Sequence, residues 1–338
     1  MNAFEYARAA DIAEAVRLKA ADPAAKFIAG GTNLIDLMKY QVEQPARLID
    51  ITRLPLRSVE PSHSGGVMIG ALVPNSDLAY HPLIESRYPL LSSAILAGAS
   101  AQLRNMASVG GNLMQRTRCA YFYDVATPCN KRTPGAGCSA KDGLNRNHAI
   151  LGFSDACIAT HPSDMCVALA ALDASVHVAG PSGARTVPFA EFHRLPGDQP
   201  DLDNTLRTDE IITAIELPPQ GFAANYSYLK IRDRLSYAFA LVSVAAALEL
   251  ADGRIQQARL ALGGVAHKPW RDSAAEEALH GEAPSRDVFA KAADVLLKDA
   301  KGHAHNAFKI ALARRAIIRT LTQAANATPQ IQSVKTIR

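Results

Sequence analysis

The segment Phe27-Ile28-Ala29-Gly30-Gly31-Thr32-Asn33 drives an apolar run into two glycines and directly into a helix candidate, Asn33 to about Lys39, with Leu34, Leu37 and Met38 inward. Few architectures accommodate that order. Upstream lie a short strand candidate at 3–6 and a helix that Asp11 can cap through about Ala20, its apolar side carrying Ile12, Ala15, Val16 and Leu18. Downstream lies the strand candidate Arg47-Leu48-Ile49-Asp50-Ile51. Strand, helix and strand in that order predict a parallel pair with a crossover. Glycines at the strand end let backbone N–H groups turn toward an anion, and the helix N-terminus adds the positive end of its dipole. The same residues also read as a tight turn that holds nothing. They match neither GxGxxG nor the Walker sequence, so a Rossmann-type nicotinamide site is not supported.

A second glycine-marked turn is predicted at Ser108-Val109-Gly110-Gly111-Asn112. Two such turns in one domain can grip the two phosphates of a dinucleotide from separate loops, with Asn33 and Asn112 as side-chain partners. Asp164 and Lys230, taken alone, read as a helix cap and a surface charge. Between and beyond these lie strand-like segments over 55–75, helices at about 77–85 and 87–98, and a helix capped by Ser163 or Asp164 through Asp173. Strands near 174–179 and 184–189 and a long loop at 195–204 follow. From about 209 the character changes. Strands are predicted at 211–217, 226–232, 240–250 and 255–262, with Ala251-Asp252-Gly253-Arg254 as a hairpin turn, then three alanine-rich helices from 273 to about 325.

The five cysteines, Cys119, Cys129, Cys138, Cys157 and Cys166, crowd into one short stretch of a 338-residue chain. Disulfides that staple a chain would be spread along it, and a chain of this length buries a core without them. Pro128, Pro134, Gly135 and Gly137 break regular structure around the thiols. Four thiolates on such a loop suit tetrahedral zinc or a 4Fe-4S cluster, and no Cys-x-x-Cys is present to choose between them. Local disulfides are the alternative. The segment 115–157 has six Lys/Arg against three Asp, which favours an anionic thiolate cluster and equally suits a solvated basic loop. The whole chain carries a net charge of only +4, too mild to imply nucleic acid. No run approaches the ~18 apolar residues of a membrane span, and the first residues do not read as a signal peptide.

The blocks Phe27 to Leu34 and Ala107 to Leu113 resemble the two FAD pyrophosphate loops of the molybdenum hydroxylase flavoproteins, the FAD-binding (medium) subunits of the xanthine dehydrogenase family. The resemblance continues through His161-Pro162-Ser163-Asp164, Tyr228 to Arg234 and Gly263 to Arg271, and so covers nearly the whole chain. In the common pattern the Ser-Asp pair follows the second loop closely, whereas here Asn112 and Asp164 are 52 positions apart. The extra length is the cysteine segment. It resembles the insertion of those members that also carry a 4Fe-4S cluster, 4-hydroxybenzoyl-CoA reductase and periplasmic aldehyde oxidoreductase among them. Gln115 to Asp124 and Pro128 to Arg132 look most like the aldehyde-oxidising type.

The resemblance implies an α+β chain with a vanillyl-alcohol-oxidase/PCMH-type two-subdomain FAD-binding fold, then a C-terminal domain of a three-stranded antiparallel sheet and a helical bundle. The implied domains are 1–210 (1–53 a small α/β subdomain, 54–210 a larger one with the iron–sulfur insertion at about 115–158), 211–326, and a flexible tail at 327–338. It implies FAD held by Phe27, Ile28, Ala29, Gly30, Gly31, Thr32, Asn33 and Leu34 and by Ser108, Val109, Gly110, Gly111 and Asn112. Asp164 and Lys230 would approach the flavin and Ile212 would give a backbone contact. Cys119, Cys129, Cys138 and Cys157 would be the cluster ligands and Cys166 a bystander. Implied partners are a large molybdenum-cofactor subunit that oxidises an aldehyde, a small 2Fe-2S subunit, and an external acceptor such as ferredoxin or oxygen. No catalytic side chain is expected here beyond the flavin itself. The implied location is periplasmic, by co-export with a signal-bearing partner, with the cytoplasm as alternative. Two other readings stay open: a zinc-stabilised binding module whose glycine turns are only turns, and a free-standing flavin oxidase.

Overall fold

The structure is a computed structural model that describes residues 1–235 and 237–332. Strands β1 (Glu5–Arg8), β2 (Lys26–Ile28) and β3 (Arg47–Asp50) form the first sheet in the order β1-β3-β2, parallel throughout. Asp11 caps the first helix, Ile12–Ala21, by accepting from the Glu14 N–H at 2.7 Å. The parallel start expected from the strand–helix–strand order is therefore present.

Strands β4 (Val59–Pro61), β5 (Val67–Gly70), β6 (Ser175–Gly180), β7 (Gly183–Pro188) and β8 (Ile211–Leu217) make a five-stranded antiparallel sheet in the order β4-β5-β8-β6-β7. The cysteine segment and its neighbours enter between β5 and β6. β8 lies between β5 and β6, so the strand expected to open the C-terminal domain at 211 completes the sheet of the preceding one. That boundary moves to beyond Leu217. The helices expected at 77–85 and 87–98 are three, Asn75–Ala79, Pro82–Arg87 and Pro89–Ala97, because Pro82 and Pro89 each begin a new one.

Strands β9 (Asn225–Ile231), β10 (Val242–Ala251) and β11 (Arg254–Gly263) form an antiparallel sheet in the order β11-β10-β9. Helices Ser273–Glu277, Arg286–Leu296 and Phe308–Ala325 follow. β10 is buried on both faces. Val244, Ala246 and Leu248 pack with the last two helices, whereas Ala245 and Ala247 belong to the core of the five-stranded sheet and helices Pro89–Ala97 and Asp164–Ala171. Ile150 and Leu151 bind the Val265 carbonyl through their N–H groups, which fastens the cysteine segment to this C-terminal unit.

Among the described residues no helix is long and apolar enough to cross a membrane. Of the expected tail, 333–338 lie outside the described residues. Residues 327–332 are tied back: Thr328 N–H donates to the Gln323 carbonyl at 2.9 Å and Gln332 Nε2 to the Tyr228 carbonyl at 3.1 Å.

Candidate functional site

After β2 the chain turns through Gly30 and Gly31, with Gly31 at φ +71°, before the helix Leu34–Lys39. Only glycine adopts that angle without strain. Residues 27–34 are half-buried throughout, one wall of the molecule that water reaches. No acceptor among the described residues takes the N–H groups of Gly30, Gly31, Thr32 or Asn33. Four successive unspent donors on a helix-entering turn form a concavity for an anion. Asn33 Oδ1 accepts from the Arg116 N–H at 2.9 Å, while its Nδ2 is buried with no partner. A buried amide donor without an acceptor is costly, and a phosphate or carbonyl oxygen at this point would satisfy it. The first segment fits a dinucleotide.

The second segment differs from expectation. Instead of a turn, Val109–Leu113 is a short helix capped by Ser108. Its N–H groups are spent within the chain: Gly110 donates to the Ala71 carbonyl at 2.7 Å, Gly111 to Ser108 Oγ at 3.2 Å and Asn112 to the Ser108 carbonyl at 2.8 Å. What it offers a ligand is the bare surface of Gly111, which is exposed, and not a row of donors. The two segments nevertheless meet. A Cβ on Gly30 would stand 1.7 Å from the Met106 carbonyl oxygen, so the backbones approach as closely as glycine allows.

Ser163 ties the next elements to this wall by donating its hydroxyl to Asn112 Oδ1 at 2.6 Å. Ser163, not Asp164, caps the helix Asp164–Ala171, accepting from the Cys166 N–H at 3.0 Å. Asp164 turns inward. Its carboxylate accepts from Tyr228 Oη and from Lys230 Nζ, each at 2.7 Å, and the lysine side chain is 3% exposed. Lys230 is thus one half of a buried pair, not the surface charge it resembles in isolation. Lys230 Nζ and Arg232 Nη1 also reach the Ala97 carbonyl, at 3.3 and 3.2 Å. Ile212 sits buried in β8 beside a register irregularity opposite His177 and Val178. On the other edge of β8 the Thr213 carbonyl accepts from the Ala71 N–H at 2.9 Å, continuing the ladder with β5 one step from Gly110.

All five cysteines are free thiols, so the disulfide alternative does not hold. Cys119, Cys129, Cys138 and Cys157 line one pocket with Tyr121, Phe122 and Lys131. Cys129 and Cys138 face each other across an isolated antiparallel bridge. Burial pushes the Cys119 thiol up to about 12 and the Cys157 thiol up to about 11, against which Lys131 pulls Cys157 down. His148 Nε2 lies 3.1 Å from Cys119 Sγ. Four soft ligands from four points of a loop line one pocket without closing to within 4.8 Å of one another as the ligands of a single ion would, a donor set that suits a cluster.

Cys166 is elsewhere, fully buried on its helix, its thiol pushed up to about 12 by burial. It comes within 4.8 Å of ring nitrogens of His161 and His193. His193 Nε2–H donates to the Leu113 carbonyl at 2.9 Å, but His161 Nδ1 accepts from the Ser163 N–H at 3.4 Å. That places the His161 ring proton on Nε2, and His161 Nε2 and His193 Nδ1 are buried without a partner among the described residues. It packs as a neutral cluster.

Sequence reasoning missed a buried charge network beside the pocket. Arg116 Nε donates to Asp203 and Arg116 Nη1 to Glu43, both at 2.8 Å, and Lys131 Nζ also binds Asp203. Lys131 Nζ further meets His267 Nε2 at 2.7 Å. The only signal in the sequence was the position of Lys131 beside Cys129.

Comparison with known proteins bears on the family and the fold. The FAD binding domain in molybdopterin dehydrogenase matches residues 2–220, and the CO dehydrogenase flavoprotein C-terminal domain matches 226–324. The chain is 50% identical to the aldehyde oxidoreductase FAD-binding subunit PaoB of Escherichia coli K12, over 96% of this chain and 99% of that one. It is 28% identical to the carbon monoxide dehydrogenase medium chain of Hydrogenophaga pseudoflava, over 95% and 96%. The solved carbon monoxide dehydrogenase of the same organism superposes with a TM-score of 0.75 at 28% identity, covering 96% of this chain and 98% of that one. Quinoline 2-oxidoreductase from Pseudomonas putida 86 shares the fold at a TM-score of 0.74 and 23% identity, covering 97% and 98%. The chain belongs to the FAD-binding medium subunits of the molybdenum hydroxylases, the flavin subunits of the xanthine dehydrogenase family of oxidoreductases.

Proposed function

We propose that this chain is the FAD- and 4Fe-4S-carrying electron-transfer subunit of a heterotrimeric, molybdenum-dependent aldehyde oxidoreductase. The observation that carries the reading is the convergence of Cys119, Cys129, Cys138 and Cys157 on one pocket, in a chain half identical to an aldehyde oxidoreductase FAD-binding subunit. A large partner with the molybdenum cofactor would turn aldehyde and water into a carboxylic acid, releasing two electrons and two protons. A small partner with 2Fe-2S clusters would carry the electrons here, and an external acceptor, ferredoxin or oxygen, would take them away.

This chain's own residues supply the binding. The free N–H groups of Gly30 to Asn33 and the unpartnered Asn33 amide would hold the diphosphate, with the bare face of Gly111 opposite. Neutral donors of this kind accept a diphosphate without a cation of their own. The buried Asp164–Lys230 pair fixes the positions of Tyr228 and the Ala97 carbonyl on the far side of Asn112 and Ser163. FAD, when bound, exchanges electrons singly or in pairs, which matches one-electron clusters to a two-electron oxidation. The four thiols would ligate the cluster as thiolates, and Cys166 takes no part.

The test is the visible spectrum of the purified chain, with iron, zinc and flavin counted. One FAD and four irons per chain are expected. A colourless zinc protein, or flavin without iron, would overturn the proposal. The location is proposed as periplasmic through co-export with a signal-bearing partner. Cell fractionation after deletion of that partner's signal should then leave this chain in the cytoplasm.

A further inference from the structure

The pocket of four thiols has a fifth chemically active neighbour that ligation does not use. Lys131 follows Cys129 by two residues and its side chain is 1% exposed. An ammonium has three N–H bonds, and here each has an acceptor: the Pro200 carbonyl at 2.7 Å, His267 Nε2 at 2.7 Å, and the Asp203 carboxylate. His267 gives its other nitrogen's proton to the Arg194 carbonyl at 2.8 Å, and burial holds its pKa down at about 4, so the ring that receives Lys131 is neutral. Asp203 is shared, because its second oxygen accepts from Arg116, which also binds Glu43. The row Glu43, Arg116, Asp203, Lys131 alternates in sign and ends on a positive charge at the cysteine pocket. Burying a lysine costs heavily, and its acceptors fix it in place instead of letting it reach water.

We infer that Lys131 is a tuning residue for the cluster, its fixed ammonium raising the reduction potential of whatever the four thiolates bind. The inference rests on the 4Fe-4S reading proposed above. Reduction adds one electron to a thiolate-ligated cluster, with no iron–sulfur bond broken and no proton required. The reduced form therefore carries one more negative charge, and a nearby buried cation stabilises it more than the oxidised form. Lys131 lines the same pocket as the four cysteines, and through a protein of effective dielectric ~20 a unit charge at about 10 Å changes the reduction equilibrium by roughly tenfold.

The experiment is an EPR-monitored redox titration of the assembled complex, with iron, sulfide and FAD counted for every protein. Lys131→Met should keep its iron and titrate about tenfold harder to reduce, which is ~59 mV more negative for one electron. Asp203→Asn, which removes the anion behind the ammonium, should move the potential the opposite way. A purely structural role for the pair predicts no such reversal of sign. Loaded Lys131→Met with an unmoved or raised potential overturns the inference and leaves the cluster reading intact. Where Lys131→Met fails to load, an unmoved or lowered potential in Asp203→Asn overturns it. Loss of the cluster from both variants would assign the pair to folding and overturn the tuning role. Wild-type protein without iron overturns the cluster reading, and this inference with it.

Discussion

At position 30 even a methyl group collides, because it would stand 1.7 Å from the Met106 carbonyl oxygen. Gly30→Ala must therefore separate the two glycine segments, and Gly31→Val must abandon the φ of +71°. Both proteins should elute from gel filtration with little FAD, read as the ratio of flavin to protein absorbance. Full occupancy in both would remove the first segment from the site. At Gly111 the clash is milder, a Cβ meeting only Ser108 Oγ at 2.9 Å, so Gly111→Val should weaken flavin retention less. The cysteines divide in the same residue-by-residue way. If the proposed cluster is present, Cys119→Ser, Cys129→Ser, Cys138→Ser and Cys157→Ser should each lose or damage it, whereas Cys166→Ser should keep iron per flavin at the wild-type value. Cys166 is fully buried on its helix beside His161 and His193 and outside the pocket, where a free thiol behaves as a small hydrophobe. Iron lost from Cys166→Ser and kept in Cys157→Ser would show the fourth ligand to be misassigned.

β10 shows what an element owes to its two neighbours. Its alternation places Ala245 and Ala247 against the core of the five-stranded sheet and Val244, Ala246 and Leu248 against the C-terminal helices. Ala247→Leu should overpack the first face and cost about 1–3 kcal/mol, seen as a lower denaturation midpoint. An unchanged midpoint would mean that face has room. Periodicity made β9, β10 and β11 legible to within about two residues, since period-2 patterning reports burial directly. It could not place β8, whose pattern is equally strand-like, because pattern identifies a strand and not its partner. The helix at Val109–Leu113 was hidden by its glycines, which signal a turn, while the Ser108 cap that starts it is a weaker signal. Clustering alone marked all five cysteines, and it did not separate Cys166, which the structure buries on a helix outside the pocket that the other four line. Lys131 was not legible, because its partners lie at Asp203 and His267, far along the chain and on other elements.

The molecule as a whole gathers neutral imidazoles where its units join. His148 and Asn145 meet the last helix region, while His193 and His267 sit between the 195–204 loop, the second glycine segment and the cysteine pocket. Burial holds His148, His193 and His267 at about 4, against about 6.5 unfolded. Between those values the unfolded chain binds protons that the folded chain refuses, so stability falls as pH falls from ~6.5 toward ~4, by up to ~1.4 kcal/mol per pH unit for each. Denaturant midpoints from pH 7 to 4.5 should trace that loss, and His193→Gln should flatten it; stability constant over the window would contradict the burial. The division of labour between subunits gives the last expectation. The described residues supply a turn of free backbone donors, a thiol pocket and buried ion pairs, and the glycine segment lacks the nicotinamide fingerprint. The chain alone should therefore bleach its flavin with dithionite but not with an aldehyde, and mixing with the molybdenum and 2Fe-2S partners should restore aldehyde-driven bleaching. The assembled complex should pass electrons to ferredoxin or oxygen and form no NADH. Aldehyde-driven bleaching by the isolated chain would place the oxidising site here, and steady NADH formation by the complex would require a nicotinamide site that the glycine segments do not provide.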